Sequence, residues 1–234
     1  MSLTAMSGPS VRRTAPPIGE NPVVARAHEA DLLDLRFRSL IADEDWASLS
    51  PAIRRRFTKR LQPGTSAVYV GTVVETRMSC LGWAVAQMAR IVGAPLPTSR
   101  LAGYASVVSV TEDAAGGGQV WTRLYARPDG FPQTINSAKR FAGLTGLEEH
   151  VGGGLGMSLD VAVVDGRLVF SSRRYFVRLG GWRLPLPGFL TPGALTVTHG
   201  ETGANRFAFV LTIRHPWFGT LIRQEAEFRD VVDA

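Results

Sequence analysis

The 234-residue chain predicts an α+β protein. Its body is a strongly curved antiparallel β-sheet or β-barrel, a meander of roughly eight to ten strands, with two or three helices in the N-terminal third. Three observations predict it. The apolar period shortens from about four residues to two after Gly103. The joints between the alternating stretches carry turn chemistry, at Ala114–Gly118, Asp129–Gly130, Asp165–Gly166 and Gly200–Asn205. Successive hairpins, rather than helical crossovers, link the strands, which makes the sheet antiparallel. So many strands should curl, because a flat sheet would leave long unpaired edges.

Composition allows a full core, with 45% hydrophobic and 20% charged residues. A net charge of +6 and a pI near 10.2 suit nucleic acid, anionic lipid, an acidic ligand or plain solubility. Arginine supplies most of the charge, so charge alone decides little. One cysteine excludes an internal disulfide framework and fits a reducing compartment. With no signal-peptide pattern and no apolar run of membrane-spanning length, the expectation is a cytoplasmic protein without a transmembrane segment.

Residues 1–26, rich in Ser, Pro, Gly and Arg, predict a disordered tail; residues 27–234 predict a single helix-plus-antiparallel-β domain. Leu33, Phe37, Leu40 and Ile41 predict a helix around His28–Ala42. Ser50 as N-cap, Pro51 at the first position and Ile53, Phe57 and Leu61 at spacing four predict the next. Its other sides carry Arg54, Arg55, Arg56, Lys59 and Arg60, the pattern of a solvated face. Val68–Thr76 reads as a strand. Ser79–Val92, capped by Ser79 and ended by Gly93, is apolar almost all round and predicts a helix that is buried or covers something.

Strands are then expected near 103–112, 118–127, 132–141, 145–151, 155–164, 167–179, 194–200, 205–214 and 219–228. A type I′ turn at Asp165–Gly166 would pair Val163 with Leu168 and Val161 with Phe170. The second strand of that hairpin then either bulges near Ser171–Arg174, keeping Tyr175, Val177 and Leu179 inside, or points Arg174 inward. The bulge is the cheaper solution, because a buried charge is costly without a partner. In the last hairpin Phe207, Phe209, Leu211 and Ile213 share a face, and Gln224 interrupts the apolar face of the returning strand.

Leu179–Gly193 is apolar where a connector should be polar, and its prolines argue against both a helix and a ladder strand. It is expected to pack over one end of the β body, against the helix at 79–92.

Chemistry is sparse. His28, His150, His199 and His215 form no metal-ligand spacing, although His199 and Glu201 could share a strand face. Cys80 reads as a small buried residue rather than a reactive thiol. Gly152–Gly153–Gly154 leads into a strand, not a helix, so no dipole would hold a phosphate there. No motif for specific nucleic-acid binding is present, and no cofactor is implied. Trp121 and Arg123 lie on one strand face, where a guanidinium beside an indole could take a carboxylate or phosphate. The candidate ligand-binding residues are Trp121, Arg123, Glu149, Arg174, Trp182 and Gln224, with no catalytic or metal-binding residue assigned.

The segments Phe37–Leu40 with Leu49–Arg56, Leu81–Pro97, Trp121–Arg123, Glu149 three before Gly152, Asp165–Gly166, Leu184–Pro187 with Pro192, Arg206–Phe209 and Pro216 with Gly219 resemble, in order and spacing, a bacterial family of domains of unknown function, number four-one-six-six. Its members stand alone or follow a saccharopine-dehydrogenase-like domain. The resemblance spans roughly residues 33–228 and implies one mainly antiparallel β domain; it supplies no activity, substrate or catalytic residue. Gln224 and Ala226 replace a Tyr-x-Gly usual in its final strand, and Tyr125 replaces a Phe. Three functions are compatible: a binding module for a small apolar or lipid-like ligand in a barrel pocket, an isomerase, cyclase or hydrolase on that scaffold, or a non-catalytic protein- or membrane-surface module.

Overall fold

The computed structural model describes residues 33–229 apart from 63, 92, 94 and 95; the tail expected over 1–26 lies outside them. Eleven strands form one antiparallel sheet: β1 (Ser66–Met78), β2 (Ala105–Asp113), β3 (Gly118–Tyr125), β4 (Gln133–Arg140), β5 (Glu148–Gly152), β6 (Leu155–Val164), β7 (Arg167–Leu179), β8 (Trp182–Pro185), β9 (Ala194–Gly203), β10 (Arg206–His215) and β11 (Gly219–Arg229). The order β6-β5-β4-β3-β2-β1-β11-β10-β9-β7, with β6 pairing β7, closes ten of them into a barrel. Closure removes the edges that a flat sheet would expose. β8 is an extra strand, laid on β7 beyond the residues that pair with β9.

The β6–β7 hairpin follows the expected register. Val163 faces Leu168 and Val161 faces Phe170 across a turn in which Asp165 (φ 51°) and Gly166 (φ 70°) are both left-handed, as a type I′ turn requires. Leu159 then faces Ser172 while Ser158 faces Arg174, so Arg173 is the extra residue of a bulge. The bulge turns Arg174 outward and keeps Tyr175 and Val177 on the inner face, but Leu179, expected inside with them, is exposed because β7 there has run past β6 and pairs only with β8.

Antiparallel succession places connections alternately at the two ends of the barrel. One end is plugged by α1 (Asp43–Ser48) and α2 (Pro51–Thr58). The Ser50 hydroxyl caps α2 by accepting from the Ile53 amide. Ile53 and Phe57 face inward, and Phe57 meets Phe37, Phe170 and His199 edge-on or tilted. Each fully buried phenylalanine of this plug contributes about 2–3 kcal/mol. The helix expected around 28–42 is a single 3₁₀ turn at Arg38–Leu40 within the described residues; Leu33 instead bridges to Lys59.

Two expectations fail at the other end. α3 (Cys80–Ile91) buries Gly82 and Ala86 against β11, but Trp83, Met88 and Ile91 are exposed, as is Cys80. An apolar all-round helix finds one main partner surface here, β11, and its remaining apolar residues face outward. Residues 179–193 do not pack over the barrel either. Trp182–Pro185 is a ladder strand, and a 3₁₀ turn follows at Gly188–Leu190. Trp182 is 77% and Phe189 74% exposed. Pro185 is tolerated because it closes a short strand with a free edge. The Tyr175 hydroxyl pins the end of this segment by donating to the Gly193 carbonyl (2.9 Å).

Candidate functional site

Period-two alternation decides what faces the barrel interior. On β3 it turns Gln119, Trp121, Arg123 and Tyr125 inward; on β4, Ile135, Ser137 and Lys139; on β5, Glu149 and Val151. The register brings the polar ones together. Lys139 and Glu149 are directly paired across β4 and β5, with Nζ 3.2 Å from Oε1. The Arg123 guanidinium lies 3.8 Å from the same oxygen and donates to the Ser137 hydroxyl (3.1 Å). The Lys139 ammonium stands 4.9 Å from the Trp121 ring centre and 5.6 Å from that of Phe170. Lys139 and Glu149 are almost completely buried.

Burial by itself would push the Glu149 carboxyl up. Lys139 and Arg123, with a hydrogen bond from Ser137, more than offset it and hold the group at about 2. Burial pushes the Lys139 amine down from its ordinary value, Glu149 opposes that, and Arg123 reinforces it. Burial likewise raises the Tyr125 phenol.

These groups line a cavity of about 100 Å³. The charged wall on β3–β5 lies five places around the ten-strand ring from β9–β11, so the two walls face each other across the interior. The facing wall is apolar, built from Leu195, Val197, Phe209, Leu211, Ala226 and Phe228, with Gln224 the exception. Gln224 is buried, 3.5 Å from the Thr76 hydroxyl. At the open end Leu96 and Pro97 line the cavity. Gln133, the first residue of β4, straps them down: its amide donates to the Leu96 carbonyl (2.8 Å) and accepts from the Thr98 amide and hydroxyl (3.1 Å each).

Of the residues singled out from sequence, Trp121, Arg123, Glu149 and Gln224 therefore meet in one cavity. Arg174 and Trp182 lie outside it, on the outer face and in β8. Lys139, Ser137 and Tyr125 were missed. Ile135 carried the signal for the first two, since an inward Ile135 places 137 and 139 inside as well.

A second buried polar group sits under α2. The His199 ring is fully buried, 3.2 Å from Arg56, which also pairs with Glu201 and lies over the Phe207 ring. Burial first, then Arg56, pushes the imidazole down to about 3, so it is neutral. Its Nδ1 finds no hydrogen-bond partner among the described residues. His150 is elsewhere, on the outer face beside Glu148.

A closed antiparallel barrel, plugged by helices at one end and holding a buried charge cluster against an apolar wall, defines this as a cavity-bearing β-barrel domain. The chain belongs to the family described as Domain of unknown function (DUF4166), whose family model matches residues 49–228. No curated protein and no solved structure matches it.

Proposed function

We propose that the barrel binds a small apolar molecule carrying an anionic head group, with the head on Arg123, Lys139 and Ser137 and the apolar part against Phe209 and Leu211. The observation that carries this is charge balance. Two cationic side chains and one carboxylate face the cavity, so with Lys139 protonated one positive charge is left in a medium where an unpaired charge is costly. A ligand carboxylate neutralises it and takes the remaining guanidinium donors.

Cavity size sets the scale. An engineered cavity of about 150 Å³ holds benzene. The 100 Å³ here suits a short-chain acid rather than a long-chain lipid. The same geometry weakens the enzyme reading. Glu149 is the carboxylate nearest Arg123, but at about 2 it is a poor proton acceptor near neutral pH.

The test is a chemical-shift titration of the full chain with butyrate and valerate beside their uncharged amides. The acids should bind at least about tenfold more tightly than the amides, the cost of losing one charge-assisted contact. Arg123→Gln should remove that preference. Equal affinity for acids and amides, or no binding of either to the folded protein, would sink the proposal.

A further inference from the structure

We propose that the open end of the barrel docks on an anionic lipid bilayer. This goes beyond the cavity reading and stands without it. Among the described residues, all six exposed Phe and Trp rings lie at this end: Trp83 on α3, Phe131 in the β3–β4 turn, Trp182 and Phe189 between β7 and β9, and Trp217 and Phe218 in the β10–β11 turn. Among the described residues, the connections at the plugged end show no exposed aromatic ring: the turns at 114–117, 165–166 and 204–205 are built from Gly, Ala, Asp and Asn, and the β4–β5 connection at 141–147 exposes Leu144 while Phe141 is partly buried.

Charge follows the same division. The segments linking strands at the open end carry Arg90, Arg100 and Arg127 against one acid, Asp129, while Arg183 on β8 is paired with Glu148 (2.9 Å); the strand-to-strand turns at the plugged end carry no arginine or lysine. Two surface grooves at the open end combine the two chemistries. Phe189 and Trp217 line one with Arg174 and Arg214; Trp83 lines the other with Arg100 and Arg127. None of these four arginines pairs with a carboxylate among the described residues, although Arg173 beside them reaches Asp160 at 3.5 Å. α2 is basic too, at the plugged end, but offers no exposed ring.

Unpaired arginines beside exposed indoles match the head-group region of a bilayer, where aromatic rings sit at the interface and cations meet lipid phosphate and carboxylate. A protein partner would need a complementary contour, whereas these rings project from four separate connections around one rim. Among the described residues no helix is long and apolar enough to cross a membrane, so helix α3 would lie on the surface rather than span it.

The experiment is co-sedimentation of the full chain with phosphatidylcholine vesicles, with and without about one-third phosphatidylserine, at low and high salt. The expected result is pelleting with the anionic vesicles that weakens with salt. Trp217→Ser with Phe218→Ser should lower the affinity at least about tenfold, and Arg174→Gln with Arg214→Gln about fivefold per arginine. Circular dichroism controls for folding, and free phosphoserine as competitor separates head-group capture from ring insertion: it should compete poorly. Unchanged pelleting of the aromatic variant would place binding elsewhere on the chain and overturn the proposal. So would failure to pellet at low salt, displacement by phosphoserine alone, or self-association that the aromatic variant abolishes.

Discussion

Lys139 faces Glu149 across the β4–β5 ladder with Nζ 3.2 Å from Oε1, inside a barrel where neither side chain meets bulk water. Arg123 shares the same carboxylate at 3.8 Å. Removing the acid and removing a cation are therefore not equivalent. Glu149→Gln leaves two buried cations together and should destabilise by about 3–5 kcal/mol. Lys139→Met and Arg123→Met each leave one cation with one carboxylate and should cost clearly less. Urea denaturation of the three variants ranks them; a Glu149→Gln cost no larger than the others would refute the charge count.

His199 makes stability depend on pH. Its folded value of about 3 lies below the ordinary 6.5, so between those limits the unfolded chain binds the extra proton. The stabilisation is fully present above 6.5 and is lost as pH falls toward 3, by several kcal/mol in all. His150, half-buried and also shifted down, adds in the same direction. His199→Leu should flatten the denaturation midpoint between pH 6.5 and 4.5, above the range where Glu149 titrates. A variant as pH-sensitive as the parent would count against a buried neutral imidazole.

Gly82 offers a test in which helix propensity and packing give opposite signs. Alanine is the better helix former by about 1 kcal/mol. Yet a Cβ at residue 82 would collide with the Leu221 carbonyl of β11. Gly82→Ala should thus lower the melting temperature, and tryptophan fluorescence should report Trp83 loosened with α3. A rise in melting temperature would show that α3 does not rest closely on β11.

Gln133 is expected to control access to the cavity without supporting the fold. Gln133→Ala removes three hydrogen bonds to Leu96 and Thr98, each worth about 1 kcal/mol. Amide exchange at Thr98 should speed up while the strands stay protected. Unchanged protection at Thr98 would mean that the strap is held by something else.

Much of the barrel was legible because strand alternation and turn chemistry act locally. The β6–β7 register and its bulge follow from Asp165–Gly166 and from the cost of burying Arg174. β8 was not legible, since Pro185 and Pro187 argue against a ladder unless a free stretch of β7 is known to stand beside them. α3 was misread because apolar periodicity says that a face wants cover, not that the fold supplies it. Trp121, Arg123, Glu149 and Gln224 were found from their strand faces. Lys139 was passed over because a lone charge in a strand ordinarily faces water; only pairing with Glu149 three-dimensionally explains its place.

The most direct test of the cavity reading is where a short acid sits. Nuclear Overhauser contacts from butyrate bound to the full chain should run from its methyl group to the ring protons of Phe209 and the methyls of Leu211, with the Arg123 guanidinium resonances shifting on binding. Contacts confined to the outer rim, at Phe189 or Trp217, with Arg123 undisturbed, would contradict it.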